Sequence, residues 1–338
     1  MFALVTGGGG FLGRYIVRQL IDAGHRVRTF SRRRYEFLES LGVEPAQGDL
    51  RDGDAVARAV EGVDTIFHTA AVPGIWGTWE TYYQTNTVGT RHVLQAARRA
   101  GVSRIVYTSS PSVTFDGTDQ RGVDESVPYP KRWLCHYPHS KALAEQEMLE
   151  ADTPGRLRTC ALRPHLIWGP EDPHLIPRLI DRARSGKLRI VGDGKTQVDM
   201  VYVENAAAAH LLAAEALVDG RAGGKAYFIS QGQPVRCWDW INDILRLADL
   251  PPVRRRVPLA VAYAAGALFE SIYRLSRRTA EPPMTRFLAL QLGRDHFFSI
   301  DAARRDLGYE PVTTTHDGML RLEAWLQRAP VANVRATG

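Results

Sequence analysis

The sequence predicts an α/β protein, a doubly wound parallel sheet followed by a smaller, mostly helical C-terminal lobe, and three observations carry that expectation. Short apolar runs of strand length alternate with helix-length segments through the first half of the chain, which is the pattern of βαβ units. A glycine-rich turn, Thr6-Gly7-Gly8-Gly9-Gly10-Phe11-Leu12-Gly13, joins the first apolar run to the first helical segment. After about Arg163 the pattern changes, as Pro164, Pro170, Pro173 and Pro177 interrupt the chain and helices arrive without regular strands.

Taken in order, strands are expected at 2–6, 27–31, 43–47, 65–68, 104–108 and 157–162, with helices at 12–23, 55–60 and 87–100 between them. Further on, helices are expected at 204–216 and near 238–248, and strands around 189–191 and 226–229 are placed back in the sheet. Two units follow. Residues 1–165 form the first, and 166–338 a second lobe from which the stretch near 189–230 returns to the sheet.

Composition agrees with a folded, globular chain. Of 338 residues, 44% are apolar and 24% charged, enough for a sizeable core and far from disordered or fibrous usage. The net charge of +6 is partly clustered, in Arg32-Arg33-Arg34 and Arg254-Arg255-Arg256. With no zinc-finger spacing and no aromatic-rich basic strand, nucleic acid is not an expected partner. Three scattered cysteines, Cys135, Cys160 and Cys237, suit a reducing cytoplasm rather than a disulfide framework. The chain opens directly as a strand, Phe2-Ala3-Leu4-Val5, so no secretion signal is expected.

The glycine turn has a strand before it and a helix after it, the context that makes such a pattern a dinucleotide cradle. Gly7 permits the tight turn, Gly10 lets a pyrophosphate approach the backbone, and Gly13 lets helix and strand pack closely. The helix N-terminus, with Phe11 and Leu12 in its first turn, offers free N–H groups and the positive end of the helix dipole. The second strand ends in Phe30-Ser31-Arg32-Arg33-Arg34, with no acidic residue before Glu36. A carboxylate there would accept from a ribose 2′-OH, whereas an arginine matches a 2′-phosphate. NADP(H) is therefore favoured over NAD(H), with Ser31 and Arg32 as the discriminating pair. Asp49-Leu50, after the third strand, is placed near the adenine, a helix N-cap being the other role open to Asp49.

The catalytic candidates are Tyr137 and Lys141, in Tyr137-Pro138-His139-Ser140-Lys141, four apart and hence one turn apart on one helix face. A phenol of ordinary pKa, about 10, is a poor proton carrier at neutral pH. A nearby ammonium stabilises the phenolate and suits it to acid–base work. Tyr107-Thr108-Ser109-Ser110 ends the strand before it, where an open α/β sheet places its site.

Together the set Thr6–Gly13, Ser109-Ser110, Tyr137–Lys141 and Leu162-Arg163-Pro164-His165-Leu166-Ile167-Trp168-Gly169-Pro170 resembles the extended short-chain dehydrogenases over nearly the whole chain. Within them it is similar to the 3β-hydroxysteroid dehydrogenase group, which includes sterol-4-carboxylate 3-dehydrogenases and bacterial 2-alkyl-3-ketoalkanoate reductases. The stretch Glu281-Pro282-Pro283-Met284-Thr285-Arg286-Phe287 is most similar to the bacterial reductases. The resemblance implies a Rossmann-type fold and a role for each residue. Tyr137 would exchange the proton with the substrate oxygen, Lys141 would lower the tyrosine's pKa and bind the nicotinamide ribose, and Ser110, or failing it Ser109, would orient that oxygen. Pro164 and the residues after it would border the carboxamide. It further implies hydride transfer at a 3-hydroxy or 3-oxo carbon of an apolar substrate. A homodimer is the expected assembly.

Other residues carry open alternatives. Asn86 would either bridge to the active-site strand or cap a helix; Trp76 and Trp79 would either line an apolar pocket or pack in the core. His139 and His165 flank the site and read first as structural, with His165 kept as a substrate candidate. Residues 257–269 are apolar with arginines on both flanks, and at 13 residues fall short of the roughly 20 that span a bilayer. Covering a greasy pocket is the first reading of that helix; a peripheral membrane contact through 254–278 is the second. Two rival functions share the cradle, tyrosine and lysine. A nucleotide-sugar dehydratase would carry an Asp-Glu pair where this chain has Ser110-Pro111-Ser112, while an epimerase would not need one. A non-catalytic dinucleotide sensor would have no use for a tuned phenol.

Overall fold

The computed structural model describes residues 1–328; the last ten residues of the expected second unit, 329–338, lie outside them. Seven parallel strands form the central sheet: β1 (Phe2–Thr6), β2 (Arg26–Ser31), β3 (Glu44–Gln47), β4 (Thr65–His68), β5 (Arg104–Thr108), β6 (Arg158–Pro164) and β7 (Ala226–Ile229). Their spatial order, 3-2-1-4-5-6-7, reverses direction between β1 and β4, which is the switch point where a doubly wound sheet takes its ligand. Ala3, Leu4 and Val5 of β1, Ile66 and Phe67 of β4, and Ile105 and Val106 of β5 are all buried. Such runs, apolar on both faces, belong to strands covered by helices on each side.

One face of the sheet is covered by α1 (Phe11–Asp22) and α5 (Val203–Ala216), which pack on each other. The other is covered by α2 (Gly53–Val60), α3 (Gly89–Ala100) and α4 (His136–Glu150). A six-residue π-helical stretch, Tyr83–Val88, leads into α3. The helix expected at 87–100 thus begins as a wider coil, a feature often found beside functional sites. At the strand ends, buried His68 joins Thr6 Oγ1 (2.7 Å) to Thr90 Oγ1 (2.9 Å), and burial pushes its imidazole down to about 3. This fixes the ends of β1 and β4 and the start of α3 relative to one another.

The second lobe is built on a separate core around Trp168, Trp238, Trp240, Ile241 and Leu245. Its helices include α6 (Leu259–Leu275) and α7 (Arg286–Gly293), which pack against each other. A four-stranded sheet accompanies them, formed by Gln120–Val123, His296–Phe298, Gln197–Val198 and Val235–Arg236. Of the two later strands placed in the sheet, Ala226–Ile229 joins β6 there. Ile190–Val191 pairs instead with Arg256–Val257, inside the second lobe.

Candidate active site

Gly7 turns the chain with φ of +71°, and its N–H donates to Phe30 O (2.8 Å) while its own carbonyl accepts from Gly10 N (2.8 Å). A Cβ at Gly13 would lie 2.2 Å from Gly7 O, so α1 can approach the turn this closely only without a side chain there. Gly10 is the N-cap of α1; it supplies no side-chain cap, and the first turn holds no acidic residue. The N–H groups around Phe11 and Leu12 therefore keep their donors and the dipole its positive end, which fits a pyrophosphate.

At the end of β2 the three arginines separate. Arg34 forms a two-point ion pair with Glu39 (2.9 and 3.0 Å). Ser31 Oγ donates to Arg33 O (2.6 Å), and the Arg32 carbonyl accepts from Gln47 Nε2 (3.0 Å), holding the turn. The exposed Arg32 guanidinium has no ion-pair partner among the described residues. Asp49 is bound by Arg51, whose guanidinium (2.7 Å) and N–H (2.9 Å) hold the carboxyl below its usual range, with a smaller contribution from Arg32. It caps no helix: Asp52 is the N-cap of α2, accepting from Asp54 N and Ala55 N. Leu50 is buried, and its carbonyl accepts from His92.

Tyr137 and Lys141 stand one turn apart at the start of α4, beside the end of β5. The Lys141 ammonium donates to Thr108 O (2.6 Å) and lies over the Tyr107 ring (4.1 Å). Among the described residues, that carbonyl is its hydrogen-bonding partner; the phenol is not. Burial holds its amine down to about 7, against the pull of Glu145 one turn further along. Burial also pushes the Tyr137 phenol up to about 12, while the Ser110 hydroxyl, within hydrogen-bonding reach, works the other way.

The two serines are now distinguishable. Ser109 is buried with an unpartnered hydroxyl, and its N–H donates to Leu162 O (2.6 Å). Ser110 caps the short 3-10 helix Pro111–Thr114, shares a hydrogen bond with Ser112 Oγ (2.9 Å) and faces Tyr137. Asn86, inside the π-helical stretch, bridges elsewhere than to the active-site strand: it grips both backbone groups of Val72, after β4 (2.8 and 3.1 Å), and donates to Ser140 Oγ of α4 (3.1 Å).

Pro164 ends β6, opposite Ile229. His165 follows it and has no nitrogen left for a substrate, since Asp199 takes Nδ1 and His296 lies 3.1 Å from Nε2. Trp79 stacks on Tyr83 (5.1 Å) and packs against His139 (4.7 Å), which Trp133 covers from its own side (5.0 Å). Trp76 instead reaches α6, edge-on to Tyr273 (6.2 Å), with its Nε1 donating to Arg278 O (3.3 Å).

Two features went unread in the sequence. Tyr82, fully buried, donates to Trp76 O (3.1 Å) and sets its ring against Tyr137 (6.2 Å). Glu145 forms a buried ion pair with Arg163 (2.6 Å) and accepts from Tyr129 (2.6 Å). The signal for the second was present: 137, 141 and 145 share one helical face, and Arg163 sits within the quoted Leu-Arg-Pro block.

A model of the 3-beta hydroxysteroid dehydrogenase/isomerase family matches residues 4–259. A 2-alkyl-3-oxoalkanoate reductase of Shewanella oneidensis is 48% identical over 96% of this chain and 86% of its own length. The decarboxylating sterol-4-alpha-carboxylate 3-dehydrogenase of Mus musculus is 34% identical over 94% of this chain and 88% of its own. Among solved structures, MoeE5 in complex with UDP-glucose and NAD matches with a TM-score of 0.75 and 26% identity, over 97% of this chain and 99% of that one.

Proposed function

The chain belongs to the 3-beta hydroxysteroid dehydrogenase/isomerase family, and from that membership we propose that it reduces 2-alkyl-3-oxo acids with NADP(H) as the preferred coenzyme. The activity in its general form is that of an NAD(P)-dependent oxidoreductase of the short-chain dehydrogenase type, interconverting a 3-hydroxy and a 3-oxo group on an apolar substrate. The observation that carries the reading is the meeting of Ser110, Tyr137 and Lys141 at the end of β5, beside an uncapped helix N-terminus that fits a pyrophosphate.

When bound, the nicotinamide carries the hydride to or from C3. In the reductive direction, Ser110 donates to the 3-oxo oxygen and holds it in front of Tyr137. The phenol then gives its proton to that oxygen as negative charge gathers there. The N-terminus of α4 and the Lys141 ammonium, fixed by Thr108 O, stabilise the phenolate left behind.

Three things support the finer substrate reading. The Shewanella relative, at 48% identity, is a 2-alkyl-3-oxoalkanoate reductase. The turn after Ser110 carries no acid pair of the kind a sugar dehydratase uses. Aromatic and apolar groups, Tyr82 and Trp76, lead from Tyr137 towards α6. For the coenzyme, support comes from an Arg32 guanidinium left without an ion-pair partner at the end of a strand that ends without a carboxylate.

Coenzyme oxidation with a 2-alkyl-3-oxo acid tests the whole. Tyr137→Phe should keep its affinity for NADPH and lose roughly 10²-fold or more in kcat, the scale of acid–base catalysis. Undiminished turnover by that variant would remove Tyr137 from its role. Turnover of a UDP-sugar with none of 3-oxo acids would replace the substrate class.

A further inference from the structure

Behind the end of β6 three buried side chains form a row that ties the two lobes together. His165 follows Pro164, the last residue of β6, and its N–H donates to Ile229 O of β7 (3.0 Å). Its ring meets Asp199 at Nδ1. At Nε2 it lies 3.1 Å from Nδ1 of His296, in the strand His296–Phe298 of the second lobe. His296 Nε2 in turn lies 2.7 Å from Gln291 O of α7. The other Asp199 oxygen accepts from Phe298 N (2.9 Å), and the Phe298 ring meets that of His165 edge-on (5.1 Å). His165, Asp199 and His296 are all buried.

The row needs one proton more than neutral rings supply. Both of its ends are acceptors, the Asp199 carboxylate and the Gln291 carbonyl. Three contacts lie between them, and each needs one N–H. Two neutral imidazoles bring two. Whichever tautomers are chosen, lone pairs then face each other at one contact, which a buried site does not tolerate. A third proton removes the conflict. Burial, and then the neighbouring His165, push the His296 imidazole down to about 3, which keeps that ring neutral. His296 then donates through Nε2 and accepts at Nδ1, so the extra proton falls to His165, beside the carboxylate. No Lys or Arg among the described residues forms an ion pair with Asp199, and a buried carboxylate calls for a cation. Asp295 and Tyr309 also act on the row electrostatically, but Asp295 is paired with Arg121 and the Tyr309 hydroxyl donates to Ser230 O (3.0 Å).

What the row holds is a strained turn. Leu166, next after His165, has φ of +41°, a backbone conformation that L side chains rarely adopt and that the surroundings must impose. The turn stands at the C-terminal end of β6, the strand beside β5, where Ser109 N donates to Leu162 O (2.6 Å). We propose that His165 is held as an imidazolium between Asp199 and His296, a clamp closed by one proton, and that these three are positioning residues for the Pro164–Leu166 turn at the nicotinamide end of the site. The clamp follows from the contacts alone. Its effect on the coenzyme rests on the reading of the site by family, which places the carboxamide beside Pro164.

Asp199→Asn separates the clamp from ordinary packing. The asparagine oxygen can accept from Phe298 N while its NH2 donates to His165 Nδ1; His165 Nε2 then donates to His296, and no extra proton is needed. Folding of the wild type takes up a proton at pH values where a free imidazole, of ordinary value about 6.5, has lost its own. Wild-type stability should therefore fall with rising pH relative to the variant. Below about pH 6 folded and unfolded chains both hold the proton and the clamp contributes in full. Above that its folding constant should drop by up to about tenfold per pH unit, until the folded chain gives the proton up. Urea unfolding of both whole proteins without coenzyme, at about pH 6 and about pH 9, reads that drop. Nitrogen NMR of histidine-labelled wild type at about pH 7.5 should show His165 with both ring nitrogens protonated, and decides the point if the variant does not fold. Parallel unfolding profiles, or a neutral His165, would overturn the clamp. NADPH affinity, read by fluorescence over the same range, should weaken severalfold in the wild type relative to the variant. Matching affinity profiles would overturn the positioning role. Absence of any nicotinamide binding would overturn it together with the reading of the site, while unfolding and spectra still decide the clamp.

Discussion

The two lobes differ in how far apart in sequence their contacts are made. In the sheet lobe β1 and β2, and β2 and β3, are joined by short crossovers, and although β4 returns to pair with β1, the residues proposed to do the chemistry sit at strand ends or in first helical turns. In the second lobe the strands are two to four residues long and find partners far away. Val198 pairs with His296, and His296 in turn with Gln120. The difference is one of division of labour. The proposed coenzyme cradle and proton-transfer residues are held by local geometry, which a sequence displays openly, whereas the second lobe, proposed to wall the substrate, is assembled by long-range closure. If that division is real, perturbations in the sheet lobe should register on coenzyme and proton handling, and those in the second lobe on the substrate.

The largest effect expected is on the proton held by Lys141. Its amine lies near 7 in the fold, against an ordinary 10.5. Between those values the unfolded chain keeps a proton that the folded chain has released, so the unfolded state binds more protons and stability rises with pH. Below about pH 7 both states are protonated and the destabilisation is present in full; it fades as pH climbs through the window. At about 1.4 kcal/mol per unit of displacement, the span amounts to several kcal/mol. Urea unfolding of the wild type and of Lys141→Met, at about pH 7 and about pH 10, isolates it as the change in their difference. The wild type should gain on the variant towards high pH. Parallel profiles would mean that the ammonium is not destabilised where it sits.

Much of the sheet lobe was legible for the same reason that it is local. The cradle, the end of β2 and the Tyr137–Lys141 spacing each lie within a few consecutive residues. Boundaries moved where a side chain found a distant partner. The apolar helix expected to stop at Phe269 continues to Leu275, because Glu270, a charge that reads as the end of a buried segment, is neutralised by Arg286. β6 runs on to Pro164 because β7 arrives from 226–229 to pair with it. His165 reads first as a structural histidine, but the sequence does not show its partners, since Asp199 and His296 are 34 and 131 residues away. Tyr82 carries no motif at all; only the fold brings its ring to Tyr137.

A middling effect is expected at the coenzyme end of the sheet. Arg34 is occupied by Glu39 and Asp49 by Arg51, and Arg32 is the group proposed to meet a 2′-phosphate. Arg32→Ala should cut the preference for NADPH over NADH by about 1.5–3 kcal/mol, the range for a hydrogen bond to a charged group. The comparison of lobes requires that the KM for the substrate stay put. Dissociation constants for both coenzymes, measured by fluorescence, read the first; steady-state kinetics read the second. Equal affinity for the two coenzymes in the wild type would end the argument for NADP(H).

The smallest effect is the one that separates the lobes most cleanly. Thr285 is buried, and its hydroxyl accepts from Leu288 N (3.1 Å) to cap α7. Removing that acceptor with Thr285→Ala leaves an N–H of the first turn unpaired and should cost about 1 kcal/mol, the usual worth of such a cap. Where the loss is felt depends on what α7 supports. Phe287, in its first turn, meets Phe115 edge-on at 5.8 Å, and Phe115 closes the short helix that Ser110 caps. Gln291 of α7 holds His296, which lies against His165 behind the end of β6. A looser α7 should therefore slacken the wall next to Ser110, the serine proposed to orient the substrate oxygen, while among the described residues no hydrogen bond or ion pair joins α7 to the glycine turn or to Arg32. KM for the 3-oxo acid should rise severalfold with NADPH affinity unchanged. A matching loss of coenzyme affinity would show that the two lobes respond as one body, and the division drawn between them would fail.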